Sequence, residues 1–151
     1  MNNEPDRRTL VYKSESVFSK AFVEALRNKH VVVTRIETGS TSQGVPDLYI
    51  QGYGGDLWIE LKNKKSKVDR RFFKIDWRPG QQAWHSVYYK EHWYKKMVFT
   101  IMADLSGFEM VPMSRIYVDN LVASENVEHF DMLGELTDRV VSILKGQSGG
   151  C

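Results

Sequence analysis

The chain has 151 residues, 42% of them hydrophobic and 26% charged, and a formal net charge of +2. That length predicts one domain with a core of its own, and no apolar run approaches the roughly 20 residues that a bilayer span requires. The single cysteine, Cys151 at the last position, excludes an internal disulfide and a cysteine metal cage. With a polar N-terminus in place of a signal peptide, an intracellular chain is the expectation. Whether the final "SGGC" belongs to the natural chain stays open.

The first element in chain order is a helix. Val17, Phe18, Ala21, Phe22, Ala25 and Leu26 recur at helical spacing behind a candidate N-cap, Ser14, which predicts a helix from about Glu15 to Asn28. "VVVTRIET" is β-branched and predicts a strand, "GSTSQG" a loop, and "PDLYIQ" a second strand with Pro46 tolerable only at its start. "GYGG" turns the chain into "DLWIELK", which completes a β-hairpin. A basic loop follows, and then "RPGQQAWHSVYYKEHWYKK" predicts a second helix opened by Pro79. "MVFTIMADL" and "GFEMVPM" predict two more strands around Ser106-Gly107. "SRIYVDNLV" fits a short helix, and "FDMLGELTDRVVSILK" a longer amphipathic one. The order is α-β-β-β-α-β-β-α-α, an α/β chain whose mixed sheet of about five strands is flanked by helices.

Charge is distributed unevenly. From Lys62 to Arg78 there are eight basic residues against two acids, whereas from Asp104 to the end there are eight acids against three bases. The basic stretch is interleaved with Phe72, Phe73 and Trp77. Basic residues among aromatics suit a polyanion with stackable bases, so nucleic acid is the expected partner. Lys64, Lys65, Lys67, Arg70 and Arg71 are the expected phosphate contacts. A loop anchored to the core by its aromatics explains the same residues.

The chemistry lies in the hairpin. Side chains alternate along a strand, so Trp58, Glu60 and Lys62 share one face while Leu57, Ile59 and Leu61 turn to the core. Asp47 opens the partner strand and approaches Glu60 across the pair. Two carboxylates that close repel unless a cation lies between them, and Mg²⁺ prefers such oxygen ligands. Lys62 then stands where it orients or deprotonates a water, or neutralises charge on a pentavalent phosphorus. Glu15, at the start of the first helix, supplies a third carboxylate, with Glu24 as the alternative. "ELK" alone is common strand decoration. The Pro-Asp after a loop, the well-placed turn, the helix bearing Glu15 and the basic run leaving the motif together favour a metal-dependent nuclease.

These residues, Glu15, Phe22, Leu26, Val32, Arg35, "TGSTSQGVPDL" and "WIELK", resemble the PD-(D/E)XK nuclease superfamily. Within it the chain is most similar to the phage-type VRR-NUC enzymes and to archaeal-type Holliday junction resolvases. "PGQQAWH" matches the glutamine-and-tryptophan helix of the phage branch. The resemblance covers roughly residues 12–112 and leaves a C-terminal helical extension. It implies a restriction-endonuclease-like core, with Mg²⁺ or Mn²⁺ held by Glu15, Asp47, Glu60 and the backbone carbonyl of Leu61. It implies Lys62 as the catalytic lysine, Gln81 (or its neighbour Gln82) as an active-site glutamine, and Ser40 as a phosphate or loop contact. The run at 63–78 is longer than compact phage enzymes carry.

Other residues weigh less. His85 and His92 share a helical face with Tyr88 and Tyr89, as half-buried histidines commonly do. His30 ends a helix, where a cation is ordinary. The functional expectation is a structure-selective DNA endonuclease acting on branched DNA. The alternatives are a restriction-type or single-strand nuclease with the same site, and a binding module that has lost cleavage. Two symmetric cuts call for a two-fold homodimer, and Trp84, Tyr88, Tyr89, Trp93 and Tyr94 offer apolar surface for one.

Overall fold

Ser14 starts the first helix as its sequence suggests. Its hydroxyl accepts from the Val17 N–H at 3.2 Å, and α1 (Glu15–Arg27) follows. The computed structural model describes residues 12–36, 45–64, 72–74, 97–112, 121–123, 125 and 127–149. Phe18, Phe22, Val23 and Leu26 form the buried stripe of α1, whereas Val17 in the first turn is 46% exposed. The helix stops at Asn28, and the chain reverses through His30 at φ 62° into β1 (Val32–Arg35).

β1 pairs antiparallel with β2 (Leu48–Gly52), and β2 with β3 (Gly55–Asn63). The β2–β3 connection is the two-residue turn Tyr53-Gly54, with φ of 53° and 80°. Positive φ at both positions matches the twist of a tight hairpin. Tyr53 tolerates it with its hydroxyl donating to the Lys29 carbonyl at 2.5 Å. β3 then lies parallel to β5 (Met97–Asp104), which turns through Leu105-Ser106 into antiparallel β6 (Gly107–Pro112). A further strand, β8 (Glu128–Phe130), pairs with β6 and closes the order β1-β2-β3-β5-β6-β8. Two short strands, β4 (Phe72–Lys74) and β7 (Leu121–Ala123), form a separate antiparallel ladder. The last helix, α2, spans Leu133–Gly149.

Both helices cover one face of the sheet. Phe18, Phe22 and Leu26 of α1 and Leu136, Val140 and Leu144 of α2 join Leu48, Ile50, Leu57, Ile59, Leu61, Ile101 and Met110 in one apolar core. The C-terminal end of α2 is pinned to the hairpin: Gln147 accepts from the Asp56 N–H at 3.0 Å and donates to the Asp56 carbonyl at 2.8 Å. Gly55 has no room for a side chain there, since a Cβ would stand 2.5 Å from the Leu144 carbonyl oxygen. The opposite face carries Trp58, Glu60, Lys62, Val98, Thr100, Met102, Glu109 and Val111. It is largely buried as well, with Thr100 and Glu109 fully so.

Three expectations change. The sheet has six strands where about five were expected, because the three-residue β8 is too short and too polar to show a period. Leu121 and Val122 lie in β7 and not at the end of a helix, and Phe130 ends β8 three residues before α2 begins. Part of the expected basic loop, Phe72–Lys74, is strand. The helix expected after Pro79 lies outside the described residues. No described helix is long and apolar enough to cross a membrane.

Candidate active site

The hairpin register sets the site. Leu48 faces Ile59, so Asp47, one residue earlier, comes opposite Glu60. Two contacts fix Asp47: its carbonyl accepts from the Ile36 N–H at 2.9 Å, and its Oδ2 accepts from the Leu61 N–H at 2.7 Å. A carboxylate held by the backbone of the strand that carries its partner is well placed for a shared task. Glu60 is 3% exposed, an ionisable side chain deep in the sheet. Lys62 Nζ lies 3.8 Å from Glu60 Oε1, two residues along the same strand face. Thr100 of β5 stands beside Glu60 in the parallel register and is fully buried.

Electrostatics tie these groups together. The Glu60 carboxyl is pushed up to about 8, first by burial, then by the negative charge of Asp47, with Lys62 opposing. A hydrogen bond with the Asp47 side chain and the charge of Glu15 push the same way. Near neutral pH the pair therefore retains a proton between two carboxyls. Replacing that proton with a cation relieves both the burial and the repulsion. Glu15, exposed at the start of α1, is thus within electrostatic reach of Glu60, and Glu24 is not among the charges that act on it.

The donor set is all oxygen. Among the described residues no three His, Cys, Asp or Glu side chains stand close enough to cage a metal by themselves. The Asp47–Glu60 pair nonetheless fits Mg²⁺, which commonly binds through one or two carboxylates and completes its shell with water and substrate phosphate. Lys64 follows β3, exposed, with its N–H donating to the Ala103 carbonyl at 2.8 Å. Ser40, Lys65, Lys67, Arg70, Arg71 and Gln81 lie outside the described residues, as do Gln82, His85 and His92.

Two polar groupings escape a sequence reading. Glu109, fully buried on the same sheet face as Glu60, meets His129 Nδ1, while His129 Nε2 lies 2.8 Å from Asp131 Oδ1. An acid inside the apolar "GFEMV" was the available signal, but its partner is twenty residues away. The second grouping surrounds Asp104, at the end of β5. Its Oδ1 accepts from the Ser106 N–H and hydroxyl, both at 2.6 Å.

No family model matches the chain, and none of the curated proteins matches its sequence. Among solved structures the fold is similar to that of Hjc, a Holliday junction resolvase from the archaeal hyperthermophile Archaeoglobus fulgidus. The TM-score is 0.54 at 11% identity, covering 81% of this chain and 98% of that one. At that identity the likeness is one of fold, and the restriction-endonuclease-like α/β core expected from the sequence is the fold that the chain has.

Proposed function

We propose that the chain is a divalent-metal-dependent endonuclease of the PD-(D/E)XK type that hydrolyses phosphodiester bonds in branched DNA. The observation that carries this reading is the convergence of Asp47, Glu60 and Lys62 at one point of the hairpin, with Glu60 buried and still protonated near neutral pH. A buried carboxyl pair with a lysine beside it is costly to a fold and serves it poorly. It serves phosphoryl chemistry well.

Asp47 and Glu60 would hold a Mg²⁺ or Mn²⁺ ion, with Glu15 and the Leu61 carbonyl as further ligands on the sequence resemblance. Such an ion supplies an acidified water and neutralises charge on the phosphate. The Leu61 N–H keeps the Asp47 carboxylate turned toward Glu60. Lys62, 15% exposed and held along the Glu60 side, orients the attacking water or stabilises the charge that builds on phosphorus. On the sequence pattern, Gln81 adds a polar contact to that water or phosphate, and Ser40 holds the loop before Pro46. The basic residues Lys64, Lys65, Lys67, Arg70 and Arg71 bind backbone phosphates away from the cut.

Branched DNA is the favoured substrate because the solved structure of similar fold is named as a Holliday junction resolvase, and a homodimer follows from the need for paired cuts. The test is a panel of four-way junction, flap, duplex and single-stranded DNA with Mg²⁺. Symmetric cuts near the branch point are expected. Preferential cutting of duplex or single strands would leave the chemistry and replace the substrate with that of a restriction-type or single-strand nuclease.

A further inference from the structure

At the end of the sheet where β3 and β5 stop, a partly open cavity of about 190 Å³ lies between the start of α1, the β5–β6 turn and the start of α2. Tyr12 and Phe108 form an aromatic wall, their rings 6.2 Å apart and tilted by 47°. Leu133 and Gly134 bring the first turn of α2 to the opposite side. Asp104 lines the cavity and is 2% exposed. Its Oδ1 is anchored by Ser106, whereas its Oδ2 is buried and takes no hydrogen bond among the described residues. A buried carboxylate oxygen without a donor costs stability, and such an atom calls for an explanation.

We propose that this cavity is a subsite for one unpaired cytosine base of the DNA substrate, with Asp104 accepting from its exocyclic amine. The inference rests on the nuclease reading for its substrate, and on the cavity alone for its base. Size selects a single ring, since an engineered cavity of about 150 Å³ accepts benzene. The aromatic wall suits a flat π-face. A carboxylate accepts from the cytosine N4 amine and repels the thymine O4. Asp131 also lines the cavity, with its Oδ1 2.8 Å from His129 Nε2, and the first N–H groups of α2, which have no acceptors within the helix, bring positive potential to the same end. Cytosine brings a donor for Asp104 and ring acceptors for those N–H groups together. Oδ2 is closed off from water, so seating the amine would require the carboxylate to turn about its Oδ1 anchor.

The position fits a base beside the cut. Lys62 pairs with Met102, so Asp104 stands two residues along and one strand across from the lysine, roughly 8 Å away. Tyr12 precedes Glu15 by three residues. Unpaired bases next to a scissile phosphate occur at branch points and in single strands, where no base must be pulled from a stack at full cost.

The test compares short oligo-deoxycytidine and oligo-deoxythymidine, each labelled and titrated with the full chain in excess chelator at pH 8. Fluorescence anisotropy should show about tenfold tighter binding of the cytosine oligomer by the wild type. In Asp104→Asn the side-chain oxygen is kept by the two Ser106 donors, so the amide nitrogen turns to the cavity and donates to thymine O4. The preference then reverses. A melting curve equal to the wild type's confirms that this near-isosteric variant folds, and the wild-type comparison does not depend on it. Equal affinities in the wild type, no binding of either oligomer, or an unreversed preference in a folded Asp104→Asn would each overturn the proposal. Base preference without cleavage of any DNA in Mg²⁺ would keep the subsite and sink the nuclease reading. Cleavage without base preference would do the opposite.

Discussion

Glu60 concentrates the cost of the site in one side chain. Its carboxyl is pushed up to about 8 in the folded protein from an ordinary value of 4.5, so the folded state binds a proton between those two pH values that the unfolded chain releases. The sign follows directly: without metal, stability contributed by this group is full below about 4.5, declines as pH rises, and is lowest above about 8. Glu60→Gln removes the titration. In chelator the variant should match the wild type at pH 5 and exceed it at pH 8 by at least about 1 kcal/mol, a rise in Tm of roughly 2–4 °C. Thermal melts at the two pH values check this. Equal Tm differences at both would mean that Glu60 carries no excess proton.

At the scale of elements, the hairpin and its supports decide where the carboxylates meet. The sequence showed the hairpin clearly, because Gly52-Tyr53-Gly54-Gly55 permits only a short turn and "DLWIELK" alternates on either side of the core. That register alone places Asp47 opposite Glu60. What joins β6, β8 and α2 was not legible. β8 is held by Glu109 meeting His129 and by Arg139 of α2 gripping Glu128 at 2.8 and 3.0 Å, contacts between residues 11 to 20 apart that no local period records. Gly107 shows how tight that junction is. It sits at φ +131°, and a Cβ there would lie 2.3 Å from the Phe130 carbonyl oxygen. Gly107→Ala therefore has to shift β8 or the turn. A loss of more than about 1 kcal/mol is expected in urea unfolding, and a variant as stable as the wild type would show that the turn adapts freely.

For the molecule as a whole, charge and assembly would govern how DNA is met under the proposed function. In the sequence the basic run follows directly from Lys62 at the end of β3, and under the proposed function its residues would contact phosphate. Replacing Lys64, Lys65 and Lys67 by Ala should reduce the slope of log affinity against log salt by up to about three, with the cut positions unchanged. An unchanged slope would put the run on a face away from DNA. The sequence made this polarity visible, whereas the proposed substrate geometry would depend on how two copies meet, which no residue spells out. Light scattering at micromolar concentration should give a homodimer. A monomer that still cuts DNA would move the substrate from junctions to single strands or duplex.

We propose Asp47 and Glu60 as the metal centre of a DNA endonuclease. A four-way junction incubated with the wild type, Asp47→Asn and Glu60→Gln, each in Mg²⁺ and in excess chelator, tests it most directly. Groups that hydrogen-bond to metal ligands commonly matter by about 10- to 100-fold, so removing a ligand itself should slow cleavage by more than about a hundredfold. Cuts by the wild type in Mg²⁺ only, none in chelator, and both variants folded but at or below that residual rate are expected. Cleavage in chelator, or a variant cutting at the wild-type rate, would contradict it.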